Sequence, residues 1–311
     1  MKELVVISGK GGTGKTSIVA SLAVLAKPVV LVDCDVDAAD LHLLLDPEVL
    51  RRENFVAGSK ARIKPGHCTA CGKCEELCRF DAIYYNGPGN GRIPKTYRVD
   101  PIACEGCGVC VDFCAEKAIE FVPETCGQWF ESRTRTGPMI HARLAVAAEN
   151  SGKLVTQLRR TSQQVAKSQG LGLVICDGSP GIGCPVIASL TGASLALIVV
   201  EPTMSGLHDF RRIAQLALRL GVPSMLAVNK VDLNLQVADQ LENEARQHGV
   251  EPIGRIPYDP SVTQAQIAKK SIVEFNDGPA SQVICELATR IENRIASSAA
   301  TQSGGLTQIQ M

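Results

Sequence analysis

Aromatic side chains are nearly missing from this sequence: they make up 4% of 311 residues, with Trp129 the single tryptophan. Surfaces that grip single-stranded nucleic acid are built from aromatic stacking platforms, so the composition speaks against that class. An excess of either charge is missing too, since 32 Lys and Arg balance 32 Asp and Glu. No long-range field draws such a chain to nucleic acid or to an anionic membrane. The basic pairs Arg51-Arg52, Arg159-Arg160 and Arg211-Arg212 read as solvated faces. No apolar run approaches the roughly 20 residues a membrane helix needs, and even residues 195–200 are strand-sized. The apolar run at the N-terminus is too short for a signal-peptide core. The expected location is cytoplasmic, with neither nucleic acid nor membrane as a partner. Cysteine, by contrast, is abundant. Eight of the thirteen lie between Cys68 and Cys114, and Cys34, Cys126, Cys176, Cys184 and Cys285 are scattered. In a reducing compartment such thiols serve as metal ligands before disulfides.

The length predicts one full domain plus a smaller module. Residues 4–7 are continuously apolar, the mark of a strand buried on both faces of a parallel sheet. A glycine-rich loop over 8–14 follows, then a helix over 16–26 and a second apolar strand over 28–32. Further strands are expected at 173–176, 195–200 and 224–228, with helices at 207–220 and 238–248 between them. Alternation of this kind indicates α/β architecture with a doubly wound, mostly parallel sheet. Between about Phe55 and Pro123 apolar strand runs vanish, and cysteine, glycine and turns take over. The strands on either side need one another, so this block is read as a small α+β insertion. From residue 296 the chain is polar and of low complexity, and a disordered tail is expected.

Gly9-Lys10-Gly11-Gly12-Thr13-Gly14-Lys15-Thr16 follows a strand and opens a helix, the context a phosphate-binding P-loop requires. Glycines let successive N–H groups turn inward to phosphate oxygens, and the helix N-terminus adds positive potential. Gly11, Gly12, Thr13, Gly14 and Ser17 belong to this cradle; Lys15 is placed on the β- and γ-phosphates, and the Thr16 hydroxyl on Mg²⁺. The second lysine, Lys10, cannot easily join Lys15 on the same γ-phosphate.

Cys68, Cys71, Cys74 and Cys78 form a C-x2-C-x2-C-x3-C run. Cys104, Cys107, Cys110 and Cys114 repeat it at a constant offset of 36 residues, the two-cluster ferredoxin pattern. In that pattern the fourth cysteine of each run ligates the other cluster. Cys68, Cys71, Cys74 and Cys114 are thus assigned to one [4Fe–4S] cluster, and Cys104, Cys107, Cys110 and Cys78 to the second. Paired zinc knuckles are the competing reading. Arg79 and Ala115 stand where proline usually follows the fourth cysteine. Leu77, Phe80, Ile83, Val111, Phe113 and Ile119 are expected to pack as the module's small core.

The paired-lysine loop resembles the deviant Walker A family of P-loop ATPases, which includes MinD, ParA and the nitrogenase iron protein. The resemblance implies that Lys10 contacts the nucleotide of a partner subunit across an ATP-sandwich dimer. It also implies that Asp35, after Asp33 in switch I, orients the attacking water. Asp177 would hold the Mg²⁺ water shell, and Gly181 would offer a backbone N–H to the γ-phosphate. Asn229 and Asp232, with Pro257 and Tyr258, are similar to the family's adenine-binding loops. Asp37 and Asp40 read equally well as helix-capping residues. With the cysteine block inserted after switch I, the chain resembles MinD-superfamily ATPases that carry a ferredoxin domain. Residues 149–155, 180–185 and 201–209 add to that likeness. Its division would be 1–54 and 125–295 for the ATPase domain, 55–124 for the ferredoxin insertion and 296–311 for the tail.

Cys184 lies just past switch II, where the nitrogenase iron protein has a ligand of its subunit-bridging cluster. The alternative is a small residue packed beside Pro185. Cys126 is a possible companion. The leading expectation is a dimeric Mg-ATPase that couples ATP to electron transfer through two [4Fe–4S] clusters. Its dimer partner would be a second copy or a paralogous ATPase, and its client a redox or iron–sulfur protein. The alternatives are a cluster or metal carrier and a MinD-like positioning regulator.

Overall fold

The computed structural model describes residues 1–145 and 151–303. In chain order it contains β1 (Lys2–Ser8), α1 (Lys15–Leu25), β2 (Val30–Asp33), α2 (Leu41–Leu45), β3 (Glu48–Ile63), α3 (Lys73–Leu77), β4 (Ile83–Gly87) and β5 (Thr96–Val99). Then come α4 (Val109–Asp112), β6 (Ile119–Thr134), β7 (Gly137–Leu144), α5 (Ser151–Ser168), β8 (Leu173–Pro180), α6 (Cys184–Leu190) and β9 (Leu195–Val200). The chain continues through α7 (Met204–Arg219), β10 (Ser224–Asn229), α8 (Leu235–Gln247), β11 (Glu251–Ile256), α9 (Ser261–Ile267), α10 (Ile272–Phe275) and α11 (Pro279–Ser303). None of these helices is long and apolar enough to cross a membrane.

Two compact units form. Among the described residues the first comprises Met1–Glu53, Gln128–Leu144 and 151–303; the second comprises Asn54–Gly127 with Ala145. The chain leaves the first unit inside β3 and returns inside β6.

The main sheet has the order β11-β10-β9-β1-β8-β2-β7-β6-β3. From β11 to β7 every neighbouring pair is parallel. Strands buried on both faces explain the continuous apolar runs: β9 is Leu-Ala-Leu-Ile-Val-Val, every residue buried. On one face Leu4, Val6, Leu31 and Ile175 pack with Ile18 and Leu22 of α1 and with Ile284, Leu287 and Ile291 of α11. The helices α5, α6, α7 and α8 pack on β2, β8, β9 and β10. Leu154 and Leu158 of α5 and Phe210 of α7 are fully buried. Each such side chain contributes about 1.5–3 kcal/mol by leaving water.

Three expectations need correction. β3 and β6, each 16 residues, run into the block where apolar strand runs vanish. Strands with much of one face exposed need no continuous apolar stretch, and β3 ends the sheet. Helix α11 carries on to Ser303, so the tail expected from 296 begins inside a helix. Its alanines favour continuing a helix already anchored by Leu287 and Ile291; residues 304–311 lie outside the described residues. Phe80 and Phe113 leave the small core, being 42% and 62% exposed, whereas Ile83 and Ile119 are buried. Of the stretch 149–155, residues 149 and 150 also lie outside the described residues.

Candidate functional site

Strand β1 runs between β8 and β9, and at its carboxyl end the chain enters the glycine loop. In open α/β sheets ligands bind outside the carboxyl ends of the strands. Register brings the chemistry there: Asp177 of β8 pairs with Val6 on one side and Asp33 on the other. Gly14 caps α1 in the left-handed region (φ 85°), a conformation costly for other residues. A side chain at Gly14 would also strike the Asn229 amide.

Lys15, the first residue of α1, is buried with its ammonium bonded to Asp177 and 3.5 Å from Asp35. Burial alone would lower its pKa, but Asp177, Asp35 and Asp33 outweigh that and hold it above the ordinary lysine value. Asp33 is fully buried and its pKa is pushed well up, by desolvation first and by Asp177 next. Its carboxylate accepts the N–H groups of Asp35 (3.1 Å) and Leu41 (3.2 Å), so it shapes the loop after β2 and caps α2. Asp40, at the N-cap position, makes no side-chain cap, and Asp37 is exposed. Asp35 is pushed up to about 6 by burial, against the pull of Lys15.

Three carboxylates thus share one ammonium. Asp177 Oδ2 and Thr13 Oγ1 are buried with no hydrogen-bond partner. A surplus of buried negative charge with an orphaned carboxylate oxygen, beside the half-buried Thr16, fits a hydrated Mg²⁺. Gly11 and Gly12 border open space.

Next to the loop lies a cavity of about 310 Å³, within the range of small-molecule sites. Gly12, Gly14 and Ser17 line its polar end, with Asn229, Pro257 and Tyr258 beside them; Ile256, Val262, Ile272 and Ile284 supply an apolar wall. A planar base flanked by phosphates suits that division. Asp232 accepts the Tyr258 N–H at 2.6 Å and so holds the 257–258 segment. Asn229 lines this cavity, and its amide donates to the Thr13 carbonyl at 2.7 Å, bracing the P-loop. The Gly181 N–H donates to the Ser8 carbonyl (2.9 Å).

Lys10 lies 3.1 Å from Glu201, and Glu201 also pairs with Lys230 at 2.5 Å. The Lys230 ammonium donates to the Gly12 carbonyl as well. Glu201 and Lys230, which lie in stretches the sequence reading likens to the family but gives no role, are thus joined to the P-loop through Lys10 and the Gly12 carbonyl. Cys184 is exposed at the start of α6. Cys126 is buried, with its thiol on the Ala57 carbonyl at 3.0 Å, which suits packing better than a shared cluster. Cys34 and Cys176, both fully buried, meet with their sulfurs 3.3 Å apart.

In the second unit the 36-residue repeat is visible in three dimensions. Gly72 and Gly108 precede the matching helices α3 and α4 with φ of 82° and 78°. Ala82 N–H meets Cys78 Sγ at 3.4 Å, and Ala118 N–H meets Cys114 Sγ at 3.3 Å. Cys68, Cys71, Cys74 and Cys114 line one cavity, together with Ile63, Tyr97 and Ile119. Cys110 is pushed up to about 11 by burial and then by Cys104, Cys107 and Cys78. Cys74 rises to about 11 by burial, with Cys68, Cys110 and Cys71 adding to it. The structure thus places Cys68, Cys71, Cys74 and Cys114 around one cavity and sets Cys104, Cys107 and Cys78 near Cys110. Thiols so raised stay protonated until a metal displaces the proton. Among the described residues no three His, Cys, Asp or Glu converge on a point for a single metal ion. A cubane spreads its thiolates over separate irons.

The family model described as CobQ/CobB/MinD/ParA nucleotide binding domain matches residues 4–272. An uncharacterized protein of Methanocaldococcus jannaschii is 34% identical over 241 residues, 75% of this chain and 79% of that protein. The iron-sulfur cluster carrier protein of Pyrococcus horikoshii is 27% identical over 158 residues, covering 46% of this chain and 53% of the carrier. Among solved structures, the septum site-determining protein MinD complexed with Mg-ADP from Pyrococcus horikoshii aligns with a TM-score of 0.57. That alignment covers 96% of this chain and 98% of MinD at 15% identity, a likeness of fold.

Proposed function

The chain belongs to the CobQ/CobB/MinD/ParA nucleotide-binding family, and from that premise we propose a dimeric Mg-ATPase whose nucleotide state governs electron transfer through two [4Fe–4S] clusters. One observation carries the proposal: a P-loop lysine set among Asp33, Asp35 and Asp177 shares its chain with two repeated cysteine quartets. The cysteine unit is read as an inserted ferredoxin domain, and the paired-lysine loop with Cys184 carries the likeness to the nitrogenase iron protein.

In this reading Lys15 exchanges its carboxylate partners for the β- and γ-phosphates, and Thr16 with Asp177 holds the metal's shell. Mg²⁺, when bound, neutralises charge on the triphosphate. Asp35 orients the attacking water, and a pKa of about 6 leaves it largely ionised at neutral pH. Asp232, Pro257 and Tyr258 shape the base pocket, and Asn229 braces the loop beneath it. Lys10 leaves Glu201 for the nucleotide of the partner subunit, a second copy or a paralogue. Gly181 gives up the Ser8 carbonyl for the γ-phosphate. Those exchanges supply two conformations that ATP stabilises unequally, as coupling requires. The clusters supply one-electron redox centres held by the two quartets. Cys184 is proposed to ligate a further cluster shared across the dimer.

A carrier role is the second reading, favoured by the partial likeness to an iron-sulfur cluster carrier. Anaerobic purification, iron counting and electron paramagnetic resonance with and without Mg-ATP test both. About eight irons per chain are expected from the two quartets, more if Cys184 ligates, the surplus vanishing in Cys184→Ala. Cluster signals should shift with ATP. Firmly held clusters that ignore ATP would remove the coupling, and cluster transfer to an apo-client would replace it with the carrier.

A further inference from the structure

The two halves of the cysteine repeat match closely except at their first cysteines. Residues 68–81 correspond to 104–117 at the 36-residue offset, and every charged residue in either stretch is exposed. Those charges are two positive and three negative in the first stretch, one positive and three negative in the second. Water screens exposed charges, and so similar a balance sets the quartets little apart. The cysteines agree in exposure as well: Cys71 and Cys107 are exposed, and Cys74, Cys78, Cys110 and Cys114 are half-buried. Cys68 is also half-buried, and its carbonyl accepts the neutral amide of Asn90 at 2.9 Å. Cys104 is buried, and its carbonyl accepts the ammonium of Lys60 at 2.5 Å.

Strand β3 brings that charge in. A side chain at Gly106, between Cys104 and Cys107, would strike the Ser59 carbonyl, so the β3 backbone lies directly on the cysteine loop. Lys60 follows Ser59 and is half-buried. Its other partner, Glu124, stands farther off at 3.6 Å. Reducing a cluster held by four thiolates adds one negative charge. A cation fixed against the ligand loop stabilises that charge, and partial burial strengthens its hold. Two effects run the other way. Burial of Cys104 alone would disfavour the added charge, but part of its cover is the ammonium itself. Backbone N–H groups reach Cys68 and Cys114 from Ala70 (3.4 Å) and Ala118 (3.3 Å), against Cys78 from Ala82 (3.4 Å), and so lean towards the first quartet. Those are long bonds from neutral dipoles, and a charge-assisted bond is about twice as strong.

We infer that Lys60 is a potential-setting residue. It makes the quartet of Cys78, Cys104, Cys107 and Cys110 the more easily reduced of the two, where an electron given to this unit comes to rest. The inference rests on reading both quartets as [4Fe–4S] ligands. In the exchange between them one cluster is oxidised by one electron and the other is reduced by one. No bond forms or breaks, and no proton moves.

Full-length protein, purified anaerobically, is titrated with dithionite and redox mediators, and each reduction step is followed by electron paramagnetic resonance. Cys107→Ser alters a ligand of the second quartet and so identifies its signal, which should appear first in the wild type. Lys60→Gln keeps a neutral donor of the kind Asn90 supplies. It should make that cluster about tenfold harder to reduce, or about 59 mV, and leave the other step within about twofold. Lys60→Arg should restore the step. Lys73→Gln, which removes an exposed charge inside the first run, should move neither step beyond about twofold. If Lys60→Gln loses iron, Glu124→Gln decides: an ammonium freed of its carboxylate should ease the same step about threefold. The inference is overturned, with both clusters in place, by a first signal from the other quartet or by titrations of Lys60→Gln or Glu124→Gln that overlay the wild type. A loss in Lys60→Arg equal to that in Lys60→Gln, or an equal shift in Lys73→Gln, overturns it too. Protein that holds no iron would remove the cluster reading itself, and this inference with it.

Discussion

In the first unit the buried positions are aliphatic: Leu4, Val6, Ile7, Leu31 and Ile175 in the strands, Leu154, Leu158 and Ile291 in the helices. In the second unit one core cluster is Ala61, Ala82, Cys104 and Ile119, with Cys74, Cys78, Cys110 and Cys114 packed against it, and Phe55, Ile83 and Ala118 are buried as well. Sulfur there does the work that leucine and valine do in the sheet. The lesson concerns what each fold depends on. Continuous apolar strands between two helical layers bury enough surface to stand without a ligand, whereas a few apolar side chains packed among thiols do not. On the proposed reading, bound clusters would supply the missing free energy, as in other small metal-bearing domains.

The sharpest way to break this contrast is to remove metal. Chelation, or Cys74→Ala with Cys110→Ala, should unfold the second unit almost completely and leave the first folded. Hydrogen exchange read separately over residues 54–127 and 151–297 checks it, and equal protection with and without metal would dissolve the comparison. A smaller effect is expected from Lys15→Ala. Losing a charge-assisted contact worth about 3 kcal/mol weakens nucleotide binding on the order of 100-fold. Calorimetry with ADP would show it, with iron content unchanged if the two units depend on different things. Smallest is a pH effect confined to the first unit. His141, stacked near Phe130 and His42 and bonded to Ser132 at 2.9 Å, has its pKa lowered to about 4 by burial first, then by His42 and Arg143. Between pH 6.5 and 4 the unfolded chain takes up a proton that the folded one refuses, so stability falls with acidification, by about 1–3 kcal/mol. Thermal melts across that range should show wild type losing stability on acidification by this amount more than His141→Phe, which has no group to titrate there.

Much of this was legible in the residues themselves. Strands β1, β2, β8, β9 and β10 announce themselves as apolar runs because both their faces are covered. The P-loop is legible because the residues that cradle a phosphate are adjacent in the chain, and the quartets because short loops bring thiols together. The strands β3 and β6 escaped because half-exposed strands carry no such run. The pairing of Lys10 with Glu201 escaped because 191 residues separate them.

The sequence alone therefore settled the local chemistry: a glycine coil ahead of a helix, and two cysteine runs at one offset. Spacing along a chain dictates geometry over a few residues and no further. Only the tertiary structure set Asp33 level with Asp177, turned Asn229 onto the Thr13 carbonyl and left Ile102 and Phe113 in water. Those outcomes follow from strand register and from how much apolar surface the finished fold can cover, which no stretch of neighbouring residues encodes.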